Sequence, residues 1–275
     1  MKSARVTAVA VLLAALIQSR PAPAQTPAPL ANWQYSVGDL LEPLMGPQPT
    51  WRAYVGVGLA AQPVYEGSQR YHALPAPIVD AHYKDLAFLS VGEGIGVNLL
   101  RGKLYRAGVA LTYDLGRDQH AATRLKGLGT IGVAPEVKLF ADVALLPVIL
   151  DFDLRRAIGG TDGYIGDIGM HVPIPLASNL FLFAGPSVTF ADSRYMQSYF
   201  GVSAAQAVNS EFRPFDAHGG VKRAGFGLTA VYQISEQWML ASDGAAQRLL
   251  GAAARSPIVE SKVEFTIDLN AVYKF

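Results

Sequence analysis

VESKVEFTIDLNAVYKF, Val259 to Phe275, alternates along its whole length. Val259, Val263, Phe265, Ile267, Leu269, Ala271, Tyr273 and Phe275 share one parity. Glu260, Lys262, Glu264, Asp268, Asn270 and Lys274 share the other. Successive side chains of a strand point to opposite faces, so this is a strand with one apolar and one charged side. A soluble sandwich would show the same alternation with its apolar face in a core. The choice between water and lipid therefore comes from the rest of the chain.

The N-terminus favours export. Lys2 and Arg5 form a positive head, Val6 to Ile17 an apolar run, and Ala22-Pro23-Ala24 a small-residue cleavage site. That order is the pattern of a secretory signal, and the run is too short to span a bilayer as a helix. Residues 1–24 are expected to be removed. The loss of Lys2, Arg5 and Arg20 leaves 20 basic against 22 acidic residues, a formal charge of −2. Such a chain has no basic stripe for nucleic acid. There is no cysteine, so disulfides, zinc-thiolate sites and cysteine nucleophiles are excluded. Beyond the signal, the longest apolar stretch, Val143 to Leu150, is interrupted by Pro147 and ended by Asp151. An exported, apolar chain without a spanning helix fits the closed barrel, in which every backbone group is satisfied between strands.

The chain divides into the signal (1–24), a Pro/Ala-rich N-terminal extension on the periplasmic side (25–50, with a short strand or helix around Trp33 to Leu41), and a repeating region (51–275). In the last, period-two segments recur between turn signals. The clearest are Trp51–Ala60, Tyr105–Asp114, Val148–Arg155 and Arg223–Tyr232, each with one apolar face opposed by charges, Gly, Ser and Thr. Others fall near 74–84, 86–98, 128–142, 163–173, 179–190 and 236–247. With the last strand this makes eleven, whereas single-chain bacterial barrels use even numbers. The expected fold is all-β: a transmembrane antiparallel up-and-down β-barrel of 12 strands, with 10 as the alternative. The miscount is expected at Trp33–Leu41 or within Phe212–Ile234. Trp51, Tyr83, Tyr105, Tyr113, Tyr164, Tyr232, Trp238 and Tyr273 sit near strand ends, as interfacial girdles do. Ala191–Pro214 reads as a long outer loop and Ser235-Glu236 as a periplasmic turn.

Several segments together resemble the MltA-interacting protein family, also called the MipA/OmpV family of outer-membrane proteins. They are Pro63-Val64-Tyr65-Glu66-Gly67-Ser68, Gly127-Leu128-Gly129, Tyr195 with Tyr199-Phe200-Gly201-Val202-Ser203, Ser256-Pro257-Ile258-Val259, and the closing Val272-Tyr273-Lys274-Phe275. The resemblance implies an outer-membrane barrel of a Gram-negative bacterium, in contact with outer-membrane lipid. The family's namesake is a scaffold joining a lytic transglycosylase to a penicillin-binding protein in murein growth. Tyr273 and Phe275 look like an assembly signal read by the barrel-assembly machinery. The family carries no catalytic motif.

The residues themselves suggest no enzyme. None of His72, His82, His120, His171 and His218 lies in a nucleophile motif, and no His pair has the i, i+4 spacing of H-E-x-x-H. No catalytic, cofactor-binding or metal residues are assigned. Asp151 and Asp153, two apart on one strand face, read as a lumen ladder with Arg155 and Lys138 rather than an acid/base pair. Glu136, Lys138, Asp142, Glu264 and Asp268 extend that mixed-charge lumen. Tyr65-Glu66-Gly67-Ser68 reads as a loop-fixing turn. The Phe200-Gly201 loop reads similarly, with exposed aromatics that could meet a partner. Gly92, Gly94 and Gly96 are placed inside a strand, where Glu93 interrupts the apolar face. The leading functional expectation is a non-enzymatic scaffold or interaction protein. The alternative is a narrow channel or small-ligand-binding barrel, and a membrane-embedded hydrolase stands third.

Overall fold

The computed structural model describes residues 49–275, so the signal and the segment around Trp33–Leu41 lie outside the described residues. Thirteen strand segments follow one another: β1 (Trp51–Pro63), β2 (Tyr71–Pro75), β3 (Ile78–Tyr83), β4 (Ala87–Ser90), β5 (Gly94–Arg101), β6 (Tyr105–Asp114), β7 (Ala134–Leu145), β8 (Val148–Ala157), β9 (Tyr164–Ala177), β10 (Leu180–Ala191), β11 (Gly220–Gln233), β12 (Trp238–Leu249) and β13 (Val263–Lys274). All pairings are antiparallel between neighbours, and β13 pairs with β1 from Tyr54↔Lys274 to Ala61↔Ile267. The sheet is therefore a closed barrel. β2 and β3 are two halves of one wall strand, because both pair with β1 in a single register, Leu59↔Pro75 and Gly56↔Ile78. The wall thus has twelve strands.

The missing strand lies elsewhere than expected. Residues 86–98 are not one strand but the hairpin β4–β5, turning at Val91-Gly92-Glu93. Gly94 opens β5 at φ +91°, where a side chain would meet the Leu111 carbonyl oxygen. Glu93 therefore interrupts no strand face. Its carboxylate turns inward and accepts from Arg106 at 2.8 Å. The run within Phe212–Ile234 holds one strand, β11. β7 begins at Ala134, later than the expected 128, and Val259–Lys262 belong to a loop rather than to β13.

The faces follow the alternation. Phe265, Ile267 and Leu269 are 58%, 59% and 60% exposed, while Glu264 and Asn270 are 4% exposed. An apolar exterior around a polar interior is the arrangement a barrel takes in lipid. Among the described residues no helix is long and apolar enough to cross a membrane; the strands do so. Trp51 packs on Tyr83, and Trp238 on Tyr273, which meets Phe275, forming an aromatic rim at the end carrying the C-terminus. That end has the short turns 84–86, 102–104, 146–147, 178–179 and 234–237. Short turns face the periplasm and long loops the outside.

The interior is packed rather than hollow. Arg106 spans Glu93 and Asp142 and lies over the rings of Phe88 and Phe140. His171 meets Asp151 at 2.7 Å, and His82 meets Asp80 at 2.7 Å. Ala144 and Ile149 meet Phe183 in apolar contact, and Phe183 also packs on Ala245. The expected lumen ladder is present, but Asp153 pairs with Arg155 while Asp151 takes His171.

Candidate functional site: a cap over the outer end of the barrel

Five connections, 64–70, 115–133, 158–163, 192–219 and 250–262, rise from the outer rim. The longest folds back over the lumen instead of projecting outward. It carries helix α1 (Ser193–Phe200) and helix α2 (Ala204–Asn209). Asp192 caps α1 by accepting the Tyr195 N–H at 2.9 Å. Ser203 and Gln206 form a reciprocal capping box on α2, the arrangement that satisfies two otherwise orphaned donors. Tyr195, Met196, Tyr199 and Phe200 share one side of α1, as residues spaced by one turn do, and all four are buried. The expectation that this loop shows aromatics to a partner is therefore overturned. Its rings point into the barrel because β9, β12 and the 250–262 loop offer Ile165, Leu249, Ala252 and Ala253 as an apolar seat.

Tyr65, Glu66, Gly67 and Ser68 form a turn at the top of β1. Ser68 N–H donates to the Tyr65 carbonyl at 2.9 Å. Gly67 has φ +92°, and a Cβ there would stand 2.6 Å from the Val259 side chain, so only glycine fits. The Tyr65 ring is buried with Leu125, Leu128, Val202, Phe212 and Ile258. Its hydroxyl donates to the Glu260 carboxylate at 3.0 Å. Ser256 Oγ donates to the Phe200 carbonyl at 2.6 Å, and Arg124 Nη2 donates to the Pro257 carbonyl at 2.7 Å. Gly201 closes α1, donating to the Gln197 carbonyl at 3.0 Å, and Val202 bridges to Phe215. The structure thus gathers Tyr65, Glu66, Gly67, Ser68, Tyr195, Tyr199, Phe200, Gly201, Val202, Ser256 and Pro257 into one cap. Tyr273 and Phe275 lie at the opposite, periplasmic end.

Glu66 joins the cap to the lumen. Its carboxylate accepts from Lys222 Nζ at 2.8 and 3.1 Å and from Arg223 Nη1 at 2.8 Å. Arg223 Nε donates to Thr189 Oγ1 at 3.2 Å, Thr189 donates to Asp167, and Asp167 pairs with Arg155. Lys222 Nζ also reaches the Tyr195 hydroxyl at 3.4 Å and lies over that ring. The Tyr199 hydroxyl donates to Asp114 at 2.7 Å, and Arg117 donates to the Tyr199 carbonyl. Burial pushes the phenols of Tyr195 and Tyr199 well above their ordinary range, so both stay neutral. Burial opposes ionisation of Glu66, yet Lys222 and Arg223 outweigh it and hold the carboxyl below the usual range.

Sequence reading missed Lys222, and placed Arg223 on the polar face of its strand without assigning it a partner. In a regular strand, adjacent residues face opposite ways, and one cation would face lipid. The β10–β11 pairing shifts register here, from Thr189↔Arg223 to Phe190↔Val221, leaving Lys222 as the extra residue of a bulge. A bulge re-aims side chains, and both cations enter the lumen. The Lys-Arg pair at the head of a membrane strand was the available signal.

A model of the family described as MltA-interacting protein MipA matches residues 55–275. The chain belongs to the MipA family. Two curated relatives agree: outer membrane protein OmpV of Vibrio cholerae and Omp26La of Vibrio anguillarum. Each is 27% identical over 173 residues, covering 62% of this chain and 64% of the relative. The aligned part thus spans less than two thirds of either relative. Among solved structures, the CymD monoaromatic hydrocarbon channel covers 86% of this chain at 11% identity with a TM-score of 0.43. The translocator domain of the autotransporter NalP from Neisseria meningitidis covers 89%, also at 11% and 0.43. This MipA-family chain is an outer-membrane β-barrel.

One position tests the cap without touching the wall. Gly127 has φ +85°, and a Cβ would lie 1.8 Å from the Asn209 carbonyl oxygen. Gly127→Ala should cost about 1–3 kcal/mol. Limited proteolysis should then cut within 115–133 or 192–219, while heat-modifiable migration of the barrel stays unchanged.

Proposed function

We propose that this chain is a non-enzymatic scaffold of the cell envelope, docking periplasmic partners on the end that carries its short turns and N-terminal extension. The observation carrying this reading is the closed lumen. A cap of interlocked motif residues lies above a belt in which Arg106 holds Glu93 and Asp142, a construction suited to rigidity rather than passage along the axis. The partner class follows from the family's description as MltA-interacting: a lytic transglycosylase, with a penicillin-binding protein as its companion in murein growth. Affinity capture of the tagged full chain from envelope extracts should enrich both, and the purified barrel should be silent in planar bilayers. Steady single-channel openings without enrichment of either enzyme would overturn the scaffold in favour of a channel.

A further inference from the structure

The lipid-facing wall carries almost no charge. Of the charged side chains in the described strands, only Arg156 and Arg248 are exposed; the rest are buried or half-buried. Arg156 pairs in register with Val137 on β7 and Tyr164 on β9, and both neighbours stand exposed on the outer wall. It lies eight residues beyond Val148, the foot of β8. At a rise of about 3.3 Å per residue and a tilt of about 40°, this lifts it roughly 20 Å, close to the top of an apolar band about 25 Å tall. A lipid-facing charge is tolerated at that level and costly at mid-height. The guanidinium lies over the Tyr164 ring, 5.2 Å from its centre, and meets no carboxylate among the described residues.

A furrow in the outer wall begins at this arginine. Its upper part, about 360 Å³, is lined by Val137, Leu154, Arg156, Ile158 and Tyr164. Asp162 stands at its edge, where its carboxylate accepts the Gly159 N–H at 2.9 Å. A lower part of about 510 Å³ continues it, with Leu139, Leu154 and Tyr164 lining both. Each volume falls in the range of roughly 300–1,000 Å³ typical of small-molecule sites. The lower part exists because of Gly166. In register it lies between Leu154 of β8 and Phe190 of β10, with Tyr164 and Ile168 on either side along β9. Those four side chains are large and exposed, and Gly166 has none, so a notch opens among them. The backbone does not demand glycine there. A Cβ would stand 3.0 Å from the Asp153 carbonyl oxygen, a contact that a small shift relieves.

We propose that the furrow seats a phosphorylated, acylated lipid of the outer leaflet, with one acyl chain lying over Gly166 and a phosphate on Arg156. The walls are apolar, and the charge at their outer end is a guanidinium, whose planar fork offers a phosphate two N–H donors. A ligand of chain alone would leave Arg156 unmatched, and a free phosphate would leave the furrow empty; one amphiphile satisfies both. Arg248 stands at the matching position of β12, between Ala224 and Val263 in register, and supplies a cation of the same level away from the furrow.

The test uses the full chain, delipidated and refolded in detergent, with heat-modifiable migration as the check on folding. Native mass spectrometry counts the molecules held per barrel as lipid A, a phosphorylated and multiply acylated disaccharide, is titrated in; its dephosphorylated form is the comparison. The wild type should hold one molecule of the phosphorylated form before any further binding. Arg156→Gln should weaken that site about tenfold, the loss of one charge-assisted contact, and should abolish the preference for the phosphorylated form. Gly166→Leu fills the notch, keeps Arg156 and should weaken the site as much; Ile168→Trp closes the notch from below if that variant does not fold. Arg248→Gln should leave the site unchanged. Wild-type affinity in Arg156→Gln, or in the filled variant, would overturn the proposal. An equal loss in Arg248→Gln would reduce the effect to general attraction by positive charge and overturn the furrow as its seat. A two-barrel species free of lipid and abolished by Gly166→Leu would assign the furrow to a second copy and overturn the lipid.

Discussion

Glu66→Leu is expected to release the cap. The substitution leaves Lys222 and Arg223 facing each other, with Lys222 1% exposed at its side chain. Removing one member of a buried ion pair strands the remaining charge, which typically costs 3–5 kcal/mol. Glu66 itself keeps 14% exposure, so solvent offsets part of this and the lower end, about 3 kcal/mol, is expected. The loss should appear as rapid proteolysis of 192–219 and a lower denaturant midpoint, with the strands still formed. Adding Lys222→Met and Arg223→Leu should restore much of the loss, because no charge then remains to be satisfied. A lesion that these changes fail to relieve would place the role of Glu66 in shape rather than charge. The pH dependence has a definite sign. A carboxyl held below its unfolded value stabilises the fold above that value and loses its contribution as pH falls through the folded one. The wild-type cap should therefore loosen only below about pH 4.5, the ordinary value for the group. Glu66→Leu should lack that acid step.

Deleting Phe275 is expected to remove most of the protein from the outer membrane. The native contacts of this residue are slight. Its ring is 63% exposed and touches Tyr273, and its N–H donates to the Ala53 carbonyl at 3.0 Å. One net hydrogen bond and one exposed aromatic contact amount to about 1–2 kcal/mol, a small part of what holds twelve strands. A large loss of inserted barrel would thus report recognition of Tyr273 and Phe275 during assembly rather than weakening of the finished fold. Fractionation with heat-modifiable migration measures it. Wild-type levels of inserted, heat-modifiable protein in the deletion would refute an assembly role, and refolding of the same variant in detergent should be near normal.

The lipid-facing and lumenal faces were legible because period two survives along nearly every strand, and β13 shows it most cleanly. The strand count was not. Val91-Gly92 continues the small-and-apolar texture of its flanks; Glu93, read as interrupting the apolar face, was the one trace of the turn, and the positive φ of Gly94 goes with it. The cap residues could be singled out by resemblance, but their role could not. Tyr65 reads as part of a loop-fixing turn and Phe200 as a surface aromatic; the burial of both appears only once the loop from 192 to 219 folds inward. Asp114, Arg117 and Arg124 gained their roles from partners some 80 to 130 positions away, which no local pattern encodes. Lys222 was hidden by the bulge, which breaks the periodicity used to read the strand.

The turn at Gly67 also orders events in time. Its carbonyl accepts from Glu260 and Ser261, its N–H donates to Glu264, and Tyr65 reaches Glu260 across 195 positions. Every one of these bonds joins the first hairpin to the last strand or to the loop leading into it. Contacts so distant along the chain carry the largest closure entropy and form late. A cylinder whose β1 and β13 have not met cannot hold Tyr65 or Glu66 in place, and Lys222 then loses the carboxylate that fixes it beneath Tyr195 of α1. The lid is thus tied to completion of the barrel: a chain whose ends have not met is expected to hold its 192–219 segment less firmly than a closed one.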